Sequence, residues 1–156
     1  MINVDTGKKI SQHHGLYHYT LGQRKGIGIG GVGSGEPWFV VGKDLKKNLL
    51  YVAQGEQHEA LYSTSLIGEA PAWTLDEEPV FPLHCTAKFR YRQQDIPVTV
   101  HKMEDGNLHI VYDNPVKAVT PGQVAVLYDA DICLGSSIIK SIEPVNSKYK
   151  YLNPTF

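Results

Sequence analysis

Short runs rich in Val, Ile, Tyr, Phe and Thr recur along the chain, alternate in polarity and are broken by Gly, Pro, Asn and Asp. Side chains on a strand point alternately to two faces, so this pattern suits half-buried strands. Helical periodicity is nearly absent, and a mainly β protein is predicted. The runs are residues 16–21 (LYHYTL), 38–41, 49–53, 63–68, 83–92, 96–103, 108–112, 123–128 and 137–142. Residues 2–7 read as a short strand entering a turn, an opening that suggests a start partway through a larger protein. Two connections carry hairpin chemistry. Glu104-Asp-Gly-Asn107 contains the Asp-Gly pair that supplies positive φ, and Lys43-Asp-Leu-Lys-Lys-Asn48 is a polar loop between two apolar runs.

The alternation lapses in the polar stretch Gly55-Glu-Gln-His-Glu59. A module boundary is expected there, with residues 1–61 as a small β module and 62–145 as a second one. The evenly spaced strands of the second module predict a closed antiparallel β-barrel, because closure removes exposed sheet edges. Residues 146–156 lack the pattern and are expected to be loosely held.

With 156 residues and 42% hydrophobic side chains the chain can bury a core without staples. Cys85 and Cys133 are far apart and outside any CxxC or Cys/His spacing, so neither a disulfide framework nor a zinc site is indicated. A reducing, cytoplasmic setting fits best. No charged-then-apolar leader opens the chain, and no apolar run approaches the roughly 20 residues that span a bilayer. Neither secretion nor membrane insertion is expected. The net charge of -1 means that any contact with nucleic acid must be local.

Four constellations could carry chemistry. The glycine run Gly26-Ile-Gly-Ile-Gly-Gly-Val-Gly-Ser-Gly35 formally matches a dinucleotide fingerprint, but that motif needs a following helix, and Glu36-Pro-Trp-Phe-Val-Val41 reads as a strand. A flexible, close-packing loop is the plainer reading. His13, His14 and His18 lack carboxylate or cysteine company and sit beside strand-like alternation, which argues against a metal site. Cys85 and Cys133 are nucleophile candidates, yet each has apolar neighbours and reads as a small buried hydrophobe, although Lys88 or Arg90 could lower a thiol pKa. Lys88-Phe-Arg-Tyr-Arg92 is the most suggestive: on a strand, Lys88, Arg90 and Arg92 share one face, while Phe89 and Tyr91 take the other. That strip suits a phosphate backbone with an aromatic close by, and equally suits a solvated outer barrel face. Gln23, Arg24, Lys25 and the Pro121-Gly-Gln123 turn offer further polar groups for RNA or interdomain contacts.

Several unusual strings occur together: Tyr19-Thr-Leu-Gly-Gln-Arg-Lys-Gly26, Pro37-Trp-Phe-Val-Val41, Arg90-Tyr-Arg-Gln93, Val119-Thr-Pro-Gly-Gln123 and Cys133-Leu-Gly135. In that order and spacing they closely resemble the C-terminal half of the bacterial tRNA-specific 2-thiouridylase family (MnmA/TrmU type), over nearly everything from residue 2 to about residue 144. One departure is Gly135-Ser136-Ser137, where the family often has a glycine triplet.

The resemblance implies a small central β domain followed by an elongation-factor-like C-terminal β-barrel. It implies tRNA as partner, contacted by Arg90, Tyr91 and Gln123, with Lys88 and Arg92 alongside. In that family an N-terminal ATP-pyrophosphatase-type domain adenylates the wobble uridine and a cysteine persulfide delivers sulfur. The nucleotide loop and both catalytic cysteines belong to segments upstream, so no catalytic role passes to Cys85 or Cys133. The present chain is then expected to be inactive alone, to need no cofactor of its own and no metal, and to work with that N-terminal domain and a sulfur-donor protein. Two rivals stay open. One is a freestanding β-barrel interaction module that docks a sulfur donor, and the other is an autonomous enzyme using Cys85 or Cys133.

Overall fold

A computed structural model describes residues 1–30, 32–90 and 93–152. The first module is a three-stranded sheet in the order β1-β3-β2, formed by β1 (Ile2–Asn3), β2 (Trp38–Asp44) and β3 (Leu49–Gln54). β2 and β3 make the antiparallel hairpin expected of their polar loop, and β1 adds in parallel to β3. The Asp44 carboxylate accepts from the Lys47 amide at 3.0 Å, and Asn48 takes φ 55°, which together turn the chain.

Both faces of this small sheet are covered, which is why Trp38-Phe-Val-Val41 and Leu49-Leu-Tyr-Val-Ala53 are continuously apolar. Against one face, Trp38, Val40, Leu50 and Val52 pack with Leu16, Tyr19, Leu21 and Ile27. Against the other, Phe39, Val41, Tyr51 and Ala53 pack with Leu61, Tyr149 and Leu152. Two sequence expectations fail here. Residues 16–21 are not a strand, because Leu16–His18 forms a single 3-10 turn that buries Leu16 and presents Tyr17 outward. Nor is the end of the chain loose through residue 152: Ser147–Leu152 forms a 3-10 helix with Tyr149 and Leu152 buried. The rest of that predicted tail, 153–156, lies outside the described residues.

The second module is a closed antiparallel barrel in the order β4-β7-β6-β5-β8-β9. Its strands are β4 (Tyr62–Trp73), β5 (Leu83–Lys88), β6 (Ile96–Lys102), β7 (Leu108–Lys117), β8 (Val124–Asp129) and β9 (Ile132–Pro144). Phe89, Leu66, Leu108, Ile110, Leu127 and Ile139 fill its interior. β6 and β7 join through the Asp-Gly turn, where Gly106 has φ 88° and the Asp105 carboxylate accepts from the Asn107 amide at 2.9 Å. Closure depends on close contact between β4 and β9, whose register shifts several times. The Gly135-Ser-Ser137 departure lies within β9 and not in a turn, and the buried Ser137 hydroxyl donates to the Glu69 carbonyl at 2.9 Å.

The cysteines part ways. Cys85 is half-buried against the barrel core, and burial, assisted by Asp129, pushes its thiol up to about 11. The lowering considered from Lys88 or Arg90 does not occur. Cys133 is exposed, contrary to the buried expectation. We predict that iodoacetamide near neutral pH labels Cys133 and leaves Cys85 untouched until the chain unfolds, as read by mass spectrometry; rapid native labelling of Cys85 would contradict its burial. Because the folded pKa of Cys85 is raised, the thiol contributes stability that is fully present below its ordinary pKa and is lost as pH climbs toward about 11.

Candidate nucleic-acid interface

Among the described residues the strand expected along 83–92 is shorter than the cation strip needs. β5 ends at Lys88, and the chain bends at Phe89 and Arg90 because Phe89 plugs the barrel at 1% exposure. The Gln93 side chain fixes the bend by accepting from the Phe89 amide at 2.8 Å. Lys88 sits 3.5 Å from Asp95 and 5.4 Å from the Tyr128 ring centroid, so its charge is partly answered. Tyr91 and Arg92 lie outside the described residues.

Arg90 points at the seam between the modules. Its Nη2 donates to the Leu21 carbonyl at 3.0 Å in the first module and to the Ala118 carbonyl at 2.5 Å in the second. The Thr120 hydroxyl also donates to that Ala118 carbonyl at 3.0 Å. The Ala118 amide in turn donates to the Leu61 carbonyl at 2.7 Å, next to the module boundary. Gly22, at φ 82°, lets the chains meet: a Cβ there would stand 2.7 Å from the Ala118 Cβ and 3.3 Å from Arg90 Nη2. Arg90 is therefore a strut between modules, a role its place in the sequence did not announce.

The strut borders a cleft of about 460 Å³ lined by Thr20, Leu21, Gly22, Gln23, Arg90, Thr120 and Gln123. Three residues singled out from the sequence, Gln23, Arg90 and Gln123, thus meet in one place, from three separate stretches of chain. Their states differ. The Gln23 amide is spent on its own turn, accepting from the Thr20 amide at 3.0 Å and donating to the Lys25 carbonyl at 2.8 Å. The Gln123 side chain is exposed, while its backbone is anchored by the Ile139 amide at 2.8 Å. Arg24 and Lys25 stand exposed beyond the Gln23 turn and pair with no described carboxylate.

The electrostatics favour an anion. Desolvation lowers the Arg90 pKa from its ordinary value, and no carboxylate among the described residues pairs with it. A guanidinium stays charged at neutral pH, and Nη2 bonded to two carbonyls leaves Nε and Nη1 without a described acceptor. Such a group has fork donors ready for a phosphate. Thr20, Thr120 and Gln123 were not brought together by sequence reasoning, since only the three-dimensional seam joins them.

The remaining candidates contribute differently. The glycine run leads into β2 and not into a helix, so it offers no helix N-terminus for a pyrophosphate, and it does not fit ATP. Instead Gln54 holds it, its amide nitrogen donating to Val32 and Glu36 carbonyls at 3.0 and 2.9 Å. His13 bonds the Asn48 carbonyl at 2.9 Å, and among the described residues no three His, Cys, Asp or Glu side chains are grouped to hold a metal. No helix among them is long and apolar enough to cross a membrane.

Residues 1–54 match the family model described as the tRNA methyl transferase PRC-barrel domain, and residues 63–139 match the aminomethyltransferase beta-barrel domain. The small β module thus matches one of these models and the barrel after it matches the other. Among curated relatives, a protein of Listeria monocytogenes called tRNA-specific 2-thiouridylase MnmA is 53% identical over 146 residues. Similarly named proteins of Geobacillus kaustophilus and Geobacillus thermodenitrificans are 51% and 52% identical over the same length. The chain belongs to the tRNA-specific 2-thiouridylase family and corresponds to its C-terminal part, since the matches cover 94% of this chain but 39% of each relative.

Proposed function

We propose that this chain is the tRNA-holding portion of a tRNA-uridine 2-sulfurtransferase acting on the wobble uridine, with Arg90, Gln123 and their cleft as the contact surface. The observation that carries the reading is a partly desolvated guanidinium, paired with no carboxylate among the described residues and fixed at a polar cleft where two modules meet. A phosphate of the RNA backbone takes the remaining Arg90 donors, and the exposed Gln123 amide offers a donor and an acceptor to a base or sugar. Lys88, Arg24 and Lys25 add positive charge around the cleft, and Tyr91 and Arg92 belong to the same proposed surface. Adenylation with ATP and persulfide sulfur transfer fall to the N-terminal ATP-pyrophosphatase-type part of the whole enzyme, fed by a sulfur-donor protein, in the cytoplasm. By itself the present chain binds and does not react.

The test is an electrophoretic shift with unmodified tRNA at rising salt. Binding should weaken log-linearly with salt, because neutralised phosphates release counterions. No shift even at low salt would overturn the reading in favour of protein docking. Arg90→Ala should weaken binding by about 1 to 3 kcal/mol and reduce the salt slope by about 1. Arg90→Lys should not rescue it, because a compact ammonium lacks the planar fork that spreads donors toward two carbonyls and a phosphate at once. An unchanged affinity in both variants would remove Arg90 from the contact surface.

A further inference from the structure

Beside the Arg90 cleft, and sharing Thr20, Leu21, Thr120 and Gln123 with it, lies a second cavity of about 300 Å³. Leu16, Leu45 and Pro121 give it apolar walls, and Tyr17 stands with them at 91% exposure. This exposure follows from the 3-10 turn, which commits Leu16 to the core and turns the next side chain out. Lys43 from β2 and Lys140 from β9 supply two ammonium groups, and no carboxylate lines the cavity. Asp44, the next residue on β2, points to the opposite face and is occupied by the Lys47 amide. Neither lysine pairs with a described carboxylate. Burial lowers the Lys43 pKa, and no opposing charge offsets that cost.

An aromatic ring left in water and a partly desolvated cation without a counter-ion are both unfavourable. A flat, anionic ligand relieves both together. A nucleotide has that chemistry, with a base that stacks on an aromatic face and phosphates that meet ammonium groups. A paired stem offers the phosphates but keeps its base faces stacked on one another, so the occupant must be unpaired.

We propose that this cavity is a single-nucleotide subsite, in which an unpaired tRNA base stacks on Tyr17 while its flanking phosphates meet Lys43 and Lys140. The proposal rests on the tRNA-holding reading and extends it from the Arg90 cleft to the adjoining cavity, whose lining adds Tyr17, Lys43 and Lys140.

Fluorescence anisotropy with labelled unmodified tRNA, and with a fully paired RNA stem as comparison, tests it. Tyr17→Ala should weaken tRNA binding by about 5- to 150-fold and leave the weaker stem binding unchanged, whereas Tyr17→Phe keeps the ring and stays within about twofold of the unsubstituted chain. Lys43→Ala and Lys140→Ala should each reduce the salt slope by about 1. Because Tyr17 is so exposed, its variants should melt like the parent, and a thermal melt confirms that they fold. Unchanged tRNA affinity in Tyr17→Ala overturns the subsite while leaving the tRNA-holding reading standing, and so points to a protein segment in the cavity. Equal losses for tRNA and stem overturn base stacking. No tRNA binding by the parent chain overturns both readings at once.

Discussion

Phe89→Ala is expected to destabilise the barrel by about 3 to 5 kcal/mol. The ring is 1% exposed and lies 5.1 Å, centroid to centroid, from Tyr112, tilted by 48°. Truncation removes the transfer energy of a large aromatic and leaves a hole that a closed barrel cannot collapse to fill. Tyr112 suffers next, for its phenol is buried well enough to push its pKa far above the ordinary value, and its hydroxyl has the Ser63 hydroxyl for a partner at 3.2 Å. The loss should also reach the cleft, because Phe89 anchors the bend that aims Arg90 across the seam. Denaturant unfolding followed by far-ultraviolet circular dichroism measures the effect. Since a domain's whole stability is about 5 to 15 kcal/mol, the midpoint should drop sharply with little change in slope. A loss below about 1 kcal/mol would mean that the barrel interior is not packed around this ring.

Leu152→Ala should cost the first module about 2 to 5 kcal/mol. Leu152 is 1% exposed and closes the lower face of the small sheet together with Tyr149. Gly42 leaves the room it occupies: a Cβ at that position would run into the Leu152 carbonyl and side chain, so Gly42→Ala should act in the same direction. Trp38 lies in β2 and Trp73 in β4, which gives each module its own fluorophore. In a Trp73→Phe background, thermal unfolding followed through Trp38 should shift downward in both variants. A Trp38 transition that ignores Leu152→Ala would show that the segment 147–152 contributes nothing to the sheet.

The strands were legible wherever a run met one covered face and one wet face, as in β6 and β7. Continuous apolar runs in β2 and β3 carried a further message, that both faces are covered, and the second cover proved to be a polar-looking tail. Its Tyr149 and Leu152 are too few to make a pattern, so composition concealed them. Residues 16–21 misled because alternation alone does not distinguish a strand from a loop that dips repeatedly into a core: Leu16, Tyr19 and Leu21 are buried from a 3-10 turn and coil. The run 83–92 was cut short by the barrel's demand for Phe89 in its interior, a tertiary cause that no local pattern displays.

The candidate site was legible in part. Arg90 stood out in the Lys88–Arg92 strip and Gln123 in the Pro121–Gln123 turn, the resemblance to the thiouridylases favoured both, and the structure brings them to one cleft by a route different from a shared strand face. Lys88 faces Asp95, and the Gln23 amide serves its own turn. Thr20, Thr120, Tyr17, Lys43 and Lys140 escaped sequence reading because they converge only across the seam. An exposed tyrosine inside Leu16-Tyr-His-Tyr19 could have been noticed only by knowing that the turn there is 3-10.

Amide chemical-shift mapping with an unmodified tRNA anticodon arm is the most direct measurement. Titration should shift the backbone signals of Thr20, Gln23, Thr120 and Gln123 together, while Asp105, Gly106 and Asn107 at the β6–β7 turn stay still. Uniform silence at the seam, or shifts confined to another surface, would contradict a tRNA grip at the junction of the two modules.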